Sequence, residues 1–380
     1  MPAAKGRKRH LETLANELRE RAHEVATKKK SKKADDCDLR RNIATFYRFM
    51  VARETVRVNK DIKGRPVDQW YEHDEFELMR HIALTNVKRA HDRTSRLIAD
   101  LSAETCAKFV RARGDRKIWL ARVLLINIAI LRAFGTREFA RRLGFITDAH
   151  HWHQYVLAAA KTNLEQGLFN YTSAYNPSRI GRSCEMQSHA SGDTSKAVAA
   201  FERTCARLKH VWQASREIVL IASRTGSWSA ATKAVMRVPG FGGTGFLAKE
   251  LVQDLLQTPI FSYVDRGITE NTCYDRTKWC PVGPGARRGL NRLHGRPPAD
   301  SIMKPDKQTH DRFMTEMLQV FKRRTDHWPK TINGEPAPQL ELHDVQFQLC
   351  EFDKFVRAAS KEGSSRAYAP SKDAGADDAS

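Results

Sequence analysis

The stretch SWSAATKAVMRVPGFGGTGFLAKELVQDLL, residues 227–256, decides the fold. Its first half predicts a helix ending near Arg237, Val238 to Gly243 form a Pro- and Gly-rich break, and a second helix is expected from Thr244. That is the pattern of a helix-hairpin-helix over residues 228–257. Glycines let such a hairpin turn with positive φ and let an anion approach the backbone. The free N–H groups and dipole at the start of the second helix favour a phosphate, with no reading of base sequence. Gly240, Gly242, Gly243, Thr244 and Lys249 are therefore candidate DNA contacts. The competing reading is a Gly-rich helix connection with Pro as a breaker. Asp254 and Asp265 follow the hairpin, but neither stands at the offset expected of a glycosylase's catalytic Asp.

Upstream, IWLARVLLINIAILRAF (118–134) is too apolar around 124–131 for a surface helix and is expected to be core. Ile43, Phe46, Tyr47, Met50 and Val51 recur at helical spacing until Gly64 and Pro66, and helical patterning resumes near Asp74. Residues 177–195, rich in Ser, Gly, Pro and Arg, predict a loop before a long helix over 198–222. After Pro259 helical periodicity is lost until about Asp311, which predicts a functional loop on a helical scaffold. Strand periodicity is weak. The fold class that follows is mainly α, a helical DNA-glycosylase-like domain with a helix-hairpin-helix and room for short strands.

The chain has 380 residues, enough for a full hydrophobic core, and its 65 Lys and Arg against 44 acidic residues leave a formal charge of +21. Such an excess repels itself unless a polyanion is the usual partner. Part of it lies in a basic arm over residues 1–38, with the run Lys28, Lys29, Lys30, Lys32 and Lys33, which is equally readable as a solvated tail. Residues 39–358 form the expected helical region, and 359–380 are small, polar and predicted to be disordered. Seven cysteines without paired short spacing point to reduced thiols. With no apolar run of membrane-spanning length and a charged N-terminus, the chain is expected to be soluble and intracellular, with no membrane partner. His150, His151 and His153 lack a Cys or carboxylate at useful spacing, so no metal site is predicted.

VGPGARRGLNRLHGRP (282–297) sets four glycines among Arg287, Arg288, Asn291 and Arg292, an arrangement suited to a phosphate or pyrophosphate. Together with FLAKELVQDLLQTP (246–259), TNVKRAHDRTSR (85–96) and ELHDVQFQLCEFDKF (341–355), it resembles the α-glutamyl/putrescinyl thymine pyrophosphorylases, or amino acid:DNA transferases, a family sharing its helical domain with the 5-hydroxymethyluracil DNA kinases. The resemblance runs from about Phe46 to Arg357. The family's Asn, Arg and Asp-Arg-x-Thr elements look matched by Asn86, Arg89, Asp92, Arg93 and Thr94, and its Asp-Leu element by Asp254 and Leu255. Its Gly-Pro-Gly-Ala-basic-Arg-Gly-Leu-Asn element looks matched from Gly283 to Asn291, and Leu-Cys-Glu-Phe-Asp-Lys from Leu349 to Lys354. Two departures stand out: Asp68, Gln69, Trp70 and Tyr71 replace a Pro-Trp-Thr triplet, and Gln346 replaces a Glu. A G-x-x-x-x-G-K-[ST] loop, which a kinase of this kind needs, does not occur in these residues.

The resemblance implies that an amine of an amino acid or polyamine replaces a phosphate or pyrophosphate on the C5 methylene of uracil in double-stranded DNA. A 5-hydroxymethyluracil DNA kinase would supply the phosphorylated base. Family membership suggests a phage, hence the cytoplasm of the infected host, and the substitution calls for no cofactor. The base must leave the stack, the leaving group's charge must be stabilised, and the incoming ammonium must lose a proton. Arg287 and Arg288, with the amides of Gly283 to Gly285, are the candidates for the leaving group, joined as substrate contacts by Asn86, Asn291 and Lys354. Arg89 or Arg93 suits an amino acid's carboxylate, and Asp92, Asp254, Glu351 and Asp353 are the candidate bases. Each has a plain competitor. Arg89, Asp92, Arg93 and Arg96 also read as an ion-pair ladder on one helix, Glu351 and Asp353 as structural partners of arginines, and Trp70, Trp228 and Trp279 as core rather than base-stacking residues. A non-catalytic DNA-binding module and a base-excision enzyme remain the alternatives from other classes.

Overall fold

The computed structural model describes residues 36–66, 69–71, 79, 82, 84–172, 176–243, 245–261, 263–264, 267–268, 273–302, 306–360 and 362. The expected basic arm before residue 36, the helix expected near Asp74, Asp68 of the altered triplet, Asp265 and the tail beyond 362 lie outside them. The protein is mainly α, as its periodicity predicts. Among the described residues the strands form two antiparallel pairs, β1 (Tyr263–Val264) with β2 (Gly267–Ile268), and β3 (Thr331–Ile332) with β4 (Glu335–Pro336). The second pair turns through Asn333 and Gly334, both at positive φ (53° and 85°), the pairing that a tight hairpin favours. No described helix is long and apolar enough to cross a membrane.

The chain, including the helical region expected over 39–358, divides into two compact units. The first combines Met1–Arg89 with Val282–Ser380, and the second is Ala90–Pro281.

In the second unit, α2 (Arg93–Arg111), α3 (Gly114–Phe134), α4 (Arg137–Leu143), α5 (Trp152–Glu165), α6 (Asn176–Ser191), α7 (Ser195–Thr225), α8 (Trp228–Met236) and α9 (Phe246–Leu255) follow in order. The apolar text of α3 sits in the core: every residue from 123 to 132 is buried. Gly135 ends the helix at φ 87°, where a Cβ would be strained. The ring of Tyr171 stacks on Phe134 at 4.8 Å, and its hydroxyl bonds to Thr204 Oγ1 at 2.7 Å and Ala200 O at 2.9 Å.

Residues 176–191 are helix, not the loop that their Ser, Gly and Pro content predicts. Pro177 falls in the first turn, where its missing N–H costs nothing. Gly181 lets α6 rest on Tyr171, since a Cβ there would stand 2.4 Å from the ring. Glu185, wholly buried, accepts from the backbone amides of Asn170 (2.8 Å) and Tyr171 (3.2 Å). Tertiary contact thus overrides weak helix propensity.

In the first unit, α1 (Asp36–Arg57) runs into a π turn (Val58–Ile62), and after the 3₁₀ turn Arg89–His91 the chain leaves for the second unit. It returns as α10 (Pro284–Leu293), α11 (Lys307–Lys322), α12 (Arg324–His327) and α13 (Leu342–Ala359). The expected functional loop over 282–297 is therefore largely a helix. Pro284 opens α10 with its φ already helical, and two glycines four residues apart, Gly285 and Gly289, let α10 lie directly on α13. A Cβ on Gly289 would come 2.3 Å from the Leu349 carbonyl oxygen, which is backbone, whereas one on Gly285 would meet only the Cys350 side chain at 2.8 Å. Gly289→Ala is expected to cost about 1–3 kcal/mol of stability, in the range of an overpacked core, and Gly285→Ala less. Urea unfolding followed by far-UV circular dichroism measures the difference.

Candidate functional site

Helix α13 carries an unusual load for a buried helix. His343, Asp344, Gln346, Gln348, Glu351 and Asp353 are all at most 2% exposed. Polar groups are buried at a cost unless they find hydrogen bonds. The helix starts with a reciprocal cap, in which the Glu341 side chain accepts from the Asp344 backbone and the Asp344 side chain from the Glu341 backbone.

Many of the remaining partners come from residues 84–89. Thr85 N–H donates to Glu351 Oε2 (3.2 Å), Gln348 Nε2 donates to Asn86 O (3.0 Å), and Arg89 N–H donates to Asp344 Oδ1 (2.9 Å). Lys88 Nζ lies 3.4 Å from both Asp344 and Glu341. The motifs at 85–96 and 341–355, distant in sequence, thus meet along one helix at their 85–89 and 341–351 ends, and an irregular backbone finds partners in side chains instead of a sheet. Arg89 is buried, with its guanidinium 4.4 Å above the Phe347 ring. Gln346 is wholly buried beside Cys350 Sγ (3.6 Å), so a Glu at this position would stand in the same interior.

Helix α10 sorts the arginines of the 282–297 motif. Arg288 Nε and Arg292 Nε donate to the two oxygens of Asp353 (2.7 and 2.8 Å), and Arg357 Nε lies 3.2 Å away. Asn291 holds the carbonyls of Pro298 (3.2 Å) and Asp300 (2.7 Å) and accepts from Arg296. Gly283 caps the helix in extended conformation, and Gly285 is spent on packing against Cys350. Lys354 pairs with Glu351 at 2.6 Å while remaining partly exposed.

Arg287 differs from its neighbours. It is 1% exposed, donates one N–H to Ile302 O (2.9 Å), and its Nε has no hydrogen-bond partner. Among the described residues no carboxylate pairs with it, and burial pushes its pKa down. An unpaired buried cation carries a desolvation cost of roughly several kcal/mol. Beside it, His310 is held below its usual pKa by burial and then by the Arg287 charge.

In the second unit the hairpin between α8 and α9 is present, with Gly240, Gly243 and Gly245 at positive φ (85°, 71° and 74°). Gly240, Gly242 and Gly243 are exposed, as a backbone contact to phosphate requires. The second helix begins at Phe246, after the expected Thr244, which itself lies outside the described residues. Lys249 faces inward: it is fully buried, 2.9 Å from Glu250 and 5.2 Å from the Phe246 ring. A side chain so placed is structural; cations beside the hairpin include Arg237, exposed at the end of α8, and Arg207 of α7, whose Cδ would be 2.8 Å from a Cβ on Gly240. Asp254 takes a two-pronged bond from Arg132, with Nη2 at 2.7 Å and Nε on the other oxygen, and Ser95 Oγ closes the group at 3.0 Å.

Asp92 is extended at the start of α2 and Arg93 is the first helical residue, exposed, while Arg89 belongs to the preceding 3₁₀ turn. The four residues of the expected ion-pair ladder therefore do not all lie on one helix. Trp228 is core, donating Nε1–H to Trp279 O (3.0 Å), with Trp279 edge-on to it. Trp70, half-buried, donates to Arg65 O (2.6 Å). His150 stacks on Trp119 and His151 pairs with Asp148. All seven cysteines are free thiols.

Sequence reasoning missed Arg132, Gln348, His310 and Asp275. Asp275 caps α8 by accepting from Ser227 Oγ (2.7 Å) and the amides of Trp228 and Ser229 (3.0 Å each). Arg132 alone carried a legible signal, a charge at the end of an otherwise apolar run.

A mainly helical protein with a glycine hairpin in one unit and a polar-cored helix pair in the other is the class that fold and site define. The family model described as the 5-hmdU DNA kinase helical domain matches residues 40–365, and the chain belongs to that family. No curated protein and no solved structure matches it.

Proposed function

We propose that this protein joins the amine of an amino acid or polyamine to the C5 methylene of phosphorylated or pyrophosphorylated 5-hydroxymethyluracil in double-stranded DNA. The family match sets the modified base as the theme, and a kinase of that theme would supply the phosphorylated substrate. Arg287 is the observation that carries the reading: a buried guanidinium with no carboxylate among the described residues is a place suited to an anion. The amine nitrogen forms a bond to the methylene carbon as the C–O bond to phosphate breaks, and the phosphate leaves with the electron pair. The ammonium proton goes to a carboxylate.

Among the candidate bases, both oxygens of Asp254 and Asp353 are already taken by guanidinium groups. Glu351 shares one oxygen with Thr85 N–H and the other with Lys354, whose side chain is 43% exposed and free to swing away. It is the base we favour, on the helix against which α10 lies. The exposed hairpin glycines would hold the DNA backbone.

Nucleosides digested from DNA bearing phosphorylated 5-hydroxymethyluracil, after incubation with the protein, amino acids and polyamines, are expected to include one heavier by an amine donor. Mass spectrometry reads it, and Arg287→Ala should abolish it. Unchanged DNA that binds tightly would instead identify a non-catalytic binding module, and loss of the base an excision enzyme.

A further inference from the structure

The charges around Phe313 do not balance. Three guanidinium groups surround its ring, Arg312 at 4.9 Å, Arg296 at 5.6 Å and Arg287 at 5.8 Å from the centroid. The described carboxylate paired with them is Glu316. Arg296 takes both of its oxygens at 2.6 Å, which leaves Arg312 at 3.9 Å and His294 also at 3.9 Å. Among the described residues Arg287 pairs with no carboxylate, and its Nε has no hydrogen-bond partner. His310 lies one turn before Phe313 on α11 and close enough to Arg287 for the two charges to oppose each other.

We propose that this corner of α10 and α11 is a phosphate or pyrophosphate subsite, in which Arg287 and Arg312 donate to the anion's oxygens and His310 closes the third side. It rests on the transferase reading only in taking that anion to be the leaving group. Arg287 has no counter-charge among the described residues and Arg312 only distant ones, Glu316 at 3.9 Å and the charge of Asp306, while a phosphomonoester brings close to two negative charges. Phe313 is fully buried, so a nucleobase has no ring to stack on and the corner recognises the anion alone. Arg288, which the sequence motif places beside Arg287, has no part in it, because its Nε is bound to Asp353. The groups that complete the subsite, Arg312 and His310, come from α11, outside the motif.

Calorimetric titration of the full chain with inorganic pyrophosphate, and separately with inorganic phosphate, tests this. A saturable single site is expected, weakened at least about tenfold by Arg287→Met and by His310→Gln or Arg312→Gln. Arg323→Gln, an exposed position paired with Asp326, should bind as the unaltered protein does. Should Arg287→Met fail to fold, the partly exposed His310 and Arg312 variants carry the test. Binding that is absent, or indifferent to these variants, overturns the subsite. The nucleoside assay stays separate: product formation with pyrophosphate affinity insensitive to His310 and Arg312 overturns the subsite and spares the transferase. Specific binding at this corner without product overturns the transferase and leaves the anion subsite standing.

Discussion

Asp254→Ala is expected to destabilise the second unit by about 3–5 kcal/mol, the range for removing one partner of a buried ion pair. Asp254 is 1% exposed and the Arg132 side chain 7%, so neither water nor a surface counter-ion can replace the lost carboxylate. The guanidinium would keep its bond to Ser95 Oγ at 2.7 Å. Five of the protein's seven tryptophans, at positions 119, 152, 212, 228 and 279, lie within Ala90–Pro281, so intrinsic fluorescence during urea unfolding reports on this unit. Pairing the change with Arg132→Met should recover part of the loss, because the uncompensated charge disappears with it. If Asp254→Ala instead leaves the unfolding midpoint unchanged while eliminating product, Asp254 regains its place as a candidate base.

Asp353→Ala should act in the same way on the first unit, with a loss of about 3 kcal/mol, at the lower end of that range. Asp353 is wholly buried and faces three arginines, but Arg288 and Arg357 are 29% and 35% exposed in their side chains and can turn to water. Arg292, at 8%, cannot, although Glu362 holds its other end at 2.7 Å. Circular dichroism during urea unfolding gives the loss. Hydrogen exchange along α10 and α13 should show it concentrated there, since Asp353 is the bolt between the two helices. Glu351→Gln, by contrast, removes a charge whose Lys354 partner is partly exposed, and in the proposed chemistry it should lower turnover more than stability.

These two carboxylates show why a motif does not assign roles. Asp254 and Asp353 stand in family-like sequence as convincingly as Glu351 does, and the arginines of the 282–297 stretch look alike on paper. Arg288 finds its partner 65 residues away and Arg132 finds Asp254 at a separation of 122, so no local pattern could reveal which charges cancel. The helix at 176–191 was hidden for a related reason: Gly181 reads as a breaker until Tyr171 is seen lying against it.

The helical class, the glycine hairpin after α8 and the buried run of α3 were determined by the sequence alone, because each depends on spacing or backbone freedom within a few turns of chain. Which buried cation has no carboxylate partner among the described residues was decided only by the tertiary structure. Pairing of charges is a contest among residues far apart in the chain, and Arg287 is singled out by what fails to reach it.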